Sequence, residues 1–99
     1  MKIKVQSIHF DADQKLLDFV QERADKLTHF FDQIIDGEVF LRLDKSATND
    51  NKITEVRINT PGKILFAKEQ CKTFEEAADN AFEALRRQIT KHKEKLRGE

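Results

Sequence analysis

The chain has 99 residues with 18 basic and 18 acidic side chains, so its formal net charge is zero. A chain of this length buries about two-thirds of the surface that its unfolded form exposes, and we expect residues 1–99 to form a single domain around one core. No apolar run approaches the roughly 20 residues that span a bilayer. The single cysteine, Cys71, excludes an intramolecular disulfide, and charged Lys2 and Lys4 follow Met1 in place of an apolar signal region. We therefore expect a soluble, cytoplasmic protein with no membrane partner.

The charges are distributed unevenly along the chain. Residues 86–99 contain six basic and two acidic side chains, a net charge of +4, whereas the other 85 residues carry −4. A zero net charge disfavours binding to nucleic acid, because phosphate binding needs a positive field. The basic C-terminal segment nevertheless provides such a field locally.

The first two predicted elements are a strand and a helix. Residues 2–8 alternate polar and apolar side chains, which is the period of a half-buried strand. Asp11 or Asp13 is positioned to cap a following helix, which we predict to reach about Gln33. The apolar stripe of this helix is assigned to the core and consists of Leu16, Val20, Ala24, Leu27, Phe31 and Ile34.

Three further strands are predicted in the middle of the chain. Asp36-Gly37 predicts a turn into a second strand, which ends near Lys45. A polar loop separates it from a third alternating strand at residues 54–59. Pro61-Gly62 is a strong turn signal and leads into a fourth alternating strand at residues 64–69. The second to fourth strands therefore form a meander.

A second helix is predicted at the end of the chain. Thr73-Phe74-Glu75-Glu76 has the sequence of a capping box, and we predict a helix from there to about Arg97, with Gly98 as its stop. One arc of this helix is apolar and is assigned to the core: Ala78, Ala81, Phe82, Leu85, Ile89 and Leu96.

The predicted order is thus β-α-β-β-β-α, which indicates an α+β fold. Strands with a period of two need cover on one face only, and two amphipathic helices are available. We predict a four-stranded sheet with both helices packed on one face, an arrangement like that of double-stranded-RNA-binding domains. The helix between the first two strands predicts a parallel pair with a right-handed crossover, and the later strands should be antiparallel.

Basic side chains line two flanks of the last helix, outside its apolar arc. Arg87, Lys91 and Lys95 follow one another at i, i+4 and i+8 on one flank, while the opposite flank carries Arg86, Lys93 and Arg97. Basic residues also suit the negative end of a helix dipole, so part of this excess needs no ligand.

One flank of the first helix combines basic and aromatic residues. Arg23 and Lys26 lie between Phe19 and Phe30 on this flank. Cations pair with phosphates and an exposed ring stacks on a base, a combination that suits RNA. The alternative is that both rings extend the edge of the core.

Two segments resemble a known family. Residues 24–32 (ADKLTHFFD) and 87–96 (RQITKHKEKL) look like the corresponding helices of the bacterial hibernation-promoting factors and ribosome-associated inhibitors, and strand order and length match across essentially the whole chain. The resemblance implies binding to ribosomal RNA in the groove of the small ribosomal subunit where transfer RNA and messenger RNA normally sit, during starvation or stationary phase. It implies neither a cofactor nor a small-molecule substrate.

The resemblance also implies which residues bind RNA. Arg23, Lys26, Arg87, Lys91 and Lys95 match basic positions that family members use on ribosomal RNA, and Arg86 and Lys93 are further candidates. The chain stops at Glu99 and resembles the short members of the family. For these, pairing of two ribosomes implies a separate modulation factor.

Catalytic signatures are weak in this sequence. His9, His29 and His92 fall on three different elements, without a Cys or carboxylate at a recognised zinc spacing. Cys71 has no His to activate it in its sequence context, and we expect an inert thiol. The sequence therefore predicts neither an enzyme nor a metal site.

A protein interaction module is the alternative function. The exposed sheet face could carry an apolar patch of Phe40, Leu65 and Ala67, and we expect Arg42, Arg57 and Glu69 to border it. Homodimerisation through this face would be its simplest form.

Overall fold

The computed structural model describes residues 2–46 and 49–96, with side chains up to Glu94. Its elements are β1 (Ile3–Ser7), α1 (Gln14–Phe30), β2 (Asp36–Leu43), β3 (Lys52–Thr60), β4 (Lys63–Cys71) and α2 (Phe74–Leu96). The four strands form one sheet in the order β1-β2-β3-β4, in which β1 pairs with β2 in parallel and the other pairs are antiparallel. The predicted α+β class, element order and strand directions are confirmed.

Both helices begin where side-chain caps were predicted. The carboxylate of Asp13 accepts a hydrogen bond from the Leu16 amide at 2.8 Å, so Asp13 and not Asp11 caps α1. The Thr73 hydroxyl accepts from the Glu76 amide at 3.1 Å at the start of α2. Such caps satisfy amides that have no partner within the helix.

The first helix ends three residues earlier than predicted. Phe31 adopts an extended conformation, and its amide makes the last bond of the helix, to the Leu27 carbonyl. Phe31 and Ile34 are nevertheless buried, so they enter the core from the segment after α1. Their helical spacing predicted burial correctly and the end of the helix wrongly.

Gly37 lies within a strand and not in the predicted turn. It pairs with Ile3 on one side and Ile58 on the other. A Cβ at this position would lie 2.7 Å from Cδ1 of Ile58 and 2.8 Å from the carbonyl oxygen of Arg57. Glycine is required here by close packing between strands, whereas Gly62, with a φ of +77°, occupies the predicted β3–β4 turn.

One core lies between the sheet and the two helices. The apolar residues predicted for it in α2 are buried as far as Ile89, while Leu96 lies outside the described side chains. In α1, Val20, Ala24 and Leu27 are buried and Leu16 is half-buried. The two helices therefore cover the same face of the sheet, as predicted.

The apolar patch predicted for the open sheet face is wrong in β4. Leu65 and Ala67 are only 1% and 7% exposed. They pair with Ile58 and Val56 of β3, and directly paired residues lie on the same face of a sheet, here the buried one. Ile64 and Phe66 occupy the open face instead, with exposed fractions of 63% and 50%.

Candidate nucleic-acid interface

The two helices lie side by side and run in the same direction. Arg23 in the middle of α1 contacts Asp79 near the start of α2, and Phe30 at the end of α1 contacts Lys93 in the second half of α2. Both helix N-termini therefore lie at one end of the molecule. A groove of about 360 Å³ between the helices is lined by Arg23, Lys26, Leu27, Asp79, Phe82, Glu83 and Arg86.

Arg23 is held in this groove by three neighbours. Its Nε donates to Oδ1 of Asp79 at 2.7 Å, and its Nη1 lies 3.3 Å from Oε1 of Glu22. Its guanidinium carbon stands 4.3 Å from the centroid of the Phe19 ring. The hydrogen bond to Asp79 raises the pKa of Arg23 further, so the side chain stays cationic. Among the described residues Nη2 has no acceptor, which leaves one edge of the guanidinium available to a ligand.

Lys26 and Arg87 form ion pairs within their own helices. Nζ of Lys26 lies 3.4 Å from Glu22, and Nη1 of Arg87 lies 3.6 Å from Glu83. These side chains are exposed, and such i,i+4 pairs contribute only a few tenths of a kcal/mol, about 0.3–0.5. A phosphate group can therefore replace either carboxylate with little loss of stability.

Phe30 is contacted by two cations of α2. The guanidinium carbon of Arg86 lies 4.8 Å and Nζ of Lys93 4.6 Å from the centroid of its ring. Nζ of Lys93 also donates to the Phe30 carbonyl at 3.2 Å, at the negative end of the α1 dipole. Phe19 and Phe30 are both half-buried and pack against the core. These contacts favour the interpretation that the two rings extend the core edge.

Lys91 lies on the other flank of α2, beside the β3–β4 turn. It is exposed and borders a shallow cleft with Lys63, Gln88 and His92. No carboxylate of the described side chains lies within 4.0 Å of its Nζ. Lys91 therefore lies away from Arg86 and Lys93, which contact Phe30, whereas Arg87 pairs with Glu83, a residue that lines the groove. The side chain of Lys95 and all of Arg97 lie outside the described residues.

Three carboxylates in and beside the groove were missed by the sequence reasoning. Glu22 and Glu83 stand four residues before Lys26 and Arg87, so helical spacing could have found these pairs. The contact between Arg23 and Asp79 joins residues of two different helices that are 56 positions apart in the sequence. It could not be predicted without the packing of α1 on α2.

The remaining chemistry of the described residues is modest. Burial raises the pKa of the Cys71 thiol, and Nδ2 of Asn80 donates to Sγ at 3.5 Å. Within residues 2–46 and 49–96 there is no group of three or more His, Cys, Asp or Glu that could hold a metal ion. Neither helix in this part of the chain is long and apolar enough to cross a membrane.

Fold and surface define a small α+β protein that presents two parallel helices with a basic C-terminal end. The chain matches the family described as "Sigma 54 modulation protein / S30EA ribosomal protein" over residues 3–97, and it belongs to that family.

Two curated relatives are both hibernation factors by name. The chain is 27% identical over 97 residues to a ribosome hibernation promoting factor of Klebsiella oxytoca, with 98% of each chain covered. It is 31% identical over 84 residues to a ribosome hibernation promotion factor of Deinococcus radiodurans; the match covers 84% of this chain but only 44% of that protein. The chain thus spans nearly the whole of one relative and less than half of the other.

Two solved structures share the fold. A ribosomal subunit interface protein from Coxiella burnetii has a TM-score of 0.82 at 18% identity, and the match covers 94% of this chain and 98% of that one. The N-terminal domain of Protein Y from Thermus thermophilus has a TM-score of 0.77 at 20% identity, with 93% and 99% covered. At these identities the likeness establishes the fold alone.

Proposed function

We propose that residues 1–99 act as one ribosome-binding domain of a cytoplasmic hibernation factor. In this role the chain occupies the groove of the small ribosomal subunit that transfer RNA and messenger RNA use, and thereby keeps ribosomes inactive during starvation or stationary phase. The proposal contains no catalytic step. A separate modulation factor would be needed if this chain takes part in pairing two ribosomes.

The observation that carries the proposal is the concentration of cations where the two helices end together. Arg86, Lys91 and Lys93 lie in the second half of α2, and no carboxylate of the described side chains is within 4.0 Å of any of them. Arg23 and Lys26 extend this surface along the groove. A basic stripe on adjacent helices is what binding to an RNA backbone requires. The names of the relatives agree with the ribosome as the source of that RNA.

The roles of the individual residues differ in this proposal. Lys91 contacts phosphates as an exposed point charge, Lys95 takes the same role by its spacing of four residues from Lys91, and Arg23 presents its open Nη2 edge. Lys26 and Arg87 exchange an intrahelical carboxylate for a phosphate. Arg86 and Lys93 contribute positive potential while they contact Phe30.

Co-sedimentation with purified small ribosomal subunits tests the proposal. If five to seven phosphates are neutralised, the slope of log affinity against log salt should be roughly −4 to −6, at about 0.7–0.9 per contact. Bound transfer RNA should compete. Binding that is absent at low salt, or that transfer RNA leaves unchanged, would refute the occupancy mechanism.

A charge-reversal pair locates the surface. Lys91→Glu with Lys95→Glu should abolish binding, whereas Lys4→Glu with Lys68→Glu makes the same change in charge on the open sheet face and should leave binding intact. Lys4 and Lys68 are exposed and alternate with the buried residues of β1 and β4. Equal losses in both variants would remove the helices from the interface.

The open sheet face supports a second candidate function, a protein interaction module. Its exposed apolar side chains are Ile64 and Phe66, beside a shallow cleft that Phe40 also lines. Sedimentation of the pure protein separates the two functions, because homodimerisation through this face requires a dimer and ribosome binding does not.

A further inference from the structure

The groove between the helices contains carboxylates as well as cations, unlike the basic end of the molecule. Three cations, Arg23, Lys26 and Arg86, line it together with two carboxylates, Asp79 and Glu83, and Glu22 pairs with Arg23 beside it. A groove that served only to attract phosphates would not contain groups that repel them. The carboxylates therefore need an explanation of their own.

Asp79 and Glu83 are not explained by packing or by the dipole of α2. Their side chains are 49% and 72% exposed, so neither fills the core. They are the sixth and tenth residues of α2, beyond the first turn in which acidic side chains favour the helix N-terminus. Glu75 and Glu76 already supply that turn with negative charge.

What Asp79 and Glu83 do contact is the predicted RNA-binding set. Asp79 accepts the Nε hydrogen bond of Arg23, and Glu83 pairs with Arg87. Each carboxylate takes the position beside a guanidinium that a phosphate oxygen would otherwise take. A phosphate that approaches either arginine must displace a carboxylate or bind at the remaining edge.

We infer that Asp79 and Glu83 determine specificity by excluding RNA in general from the helix surface. They keep Arg23 and Arg87 engaged unless the RNA presents its phosphates in a geometry that reaches the open edges of these side chains. The inference rests on the proposed function and adds to it a selection between RNAs. It predicts that removing the two carboxylates broadens binding.

The test compares two variants of the full chain. Asp79→Asn with Glu83→Gln removes the two groove carboxylates, and Glu38→Gln with Glu55→Gln removes two carboxylates on the open sheet face. The second pair is a matched control, because Glu38 and Glu55 are also paired with arginines, Arg57 and Arg42. Both variants change the net charge by the same amount and break two ion pairs.

Affinity is measured for a fluorescent RNA hairpin unrelated to ribosomal RNA, and separately for small ribosomal subunits, each across a salt series. The groove variant should bind the hairpin at least about tenfold more tightly, with a salt slope steeper by roughly 1.4–1.8 for two released cations. The control should bind the hairpin as the unchanged protein does. Glu83→Gln alone, at the most exposed of these positions, should give a smaller rise in the same direction.

Two results would overturn the inference. An unchanged hairpin affinity in the groove variant shows that the carboxylates exclude nothing, and equal rises in both variants show that only net charge matters. Failure of the unchanged protein to bind small subunits would instead refute the proposed function, so the two failures are distinguishable.

Discussion

Lys93 and Lys91 are two residues apart in α2 and have different contacts, from which we expect different roles. Nζ of Lys93 lies 4.6 Å from the Phe30 ring centroid and donates to the Phe30 carbonyl. A cation–π contact contributes about 0.5–2 kcal/mol, and a cation at a helix C-terminus about 0.3–1 kcal/mol. Lys93→Met, which keeps the apolar stem and removes the charge, should therefore lower the free energy of unfolding by about 1–2 kcal/mol.

Urea denaturation followed by circular dichroism measures this loss, and the melting temperature should fall by about 4–16 °C for a domain of this size. Lys91→Met is the matched control. Because Lys91 is exposed, the stability of this variant should stay within about 0.5 kcal/mol of that of the unchanged protein.

In binding to small ribosomal subunits, Lys91→Met should have the larger effect and Lys93→Met the smaller one. The salt slope becomes shallower by about 0.7–0.9 for Lys91→Met and changes less for Lys93→Met. If Lys93→Met is as stable as the unchanged protein, the contacts of Lys93 with the ring and carbonyl of Phe30 do not stabilise the fold in solution.

Three further predictions concern the core, the close packing at Gly37 and the Cys71 thiol. Phe82→Ala should cost about 3–5 kcal/mol in urea denaturation, because Phe82 is buried in the core; a mild effect would contradict its placement. Gly37→Ala should cost about 1–2 kcal/mol of stability: an overpacking penalty of about 1–3 kcal/mol is partly offset because alanine loses less conformational entropy on folding than glycine. Adding Ile58→Val to this variant should restore part of the lost stability. Burial raises the pKa of Cys71, so less thiolate forms near pH 8 and a disulfide reagent should react more slowly than with glutathione; an equal rate would refute this.

The sequence predicted the fold well because its patterns are local. Period-two strands, the Asp13 and Thr73 caps and the Pro61-Gly62 turn each specify one element, and a sheet with two amphipathic helices has few ways to bury them. Errors arose where a local pattern has two readings. Asp-Gly is typical of turns, yet Gly37 serves close strand packing, and alternation in β4 did not reveal which alternate set faces the helices.

The sequence predicted the basic residues of the candidate site but not the side chains that contact them. Basic residues at helical spacing mark a surface in the sequence, whereas the contacts of Arg23 with Asp79 and of Lys93 with Phe30 depend on how α1 packs against α2. These contacts separate cations that stabilise the fold from cations that are open to a ligand. Tertiary packing therefore supplies the distinction that charge counting lacks.

A zero net charge disfavours nucleic-acid binding when it is considered as a single number. Here it is the sum of the charges of two regions with opposite sign. In α2 four acidic residues, Glu75, Glu76, Asp79 and Glu83, precede the basic ones, which begin at Arg86 and have Glu94 among them. Since α1 runs in the same direction, the ends of both helices place the basic region at one end of the molecule. Surface potential depends on this local arrangement, because charges more than about 10 Å apart are largely screened at 0.1 M salt. Under the proposed function an RNA that meets the basic end is attracted despite the neutral total, and we expect the acidic half of α2 to limit how far along the groove it extends.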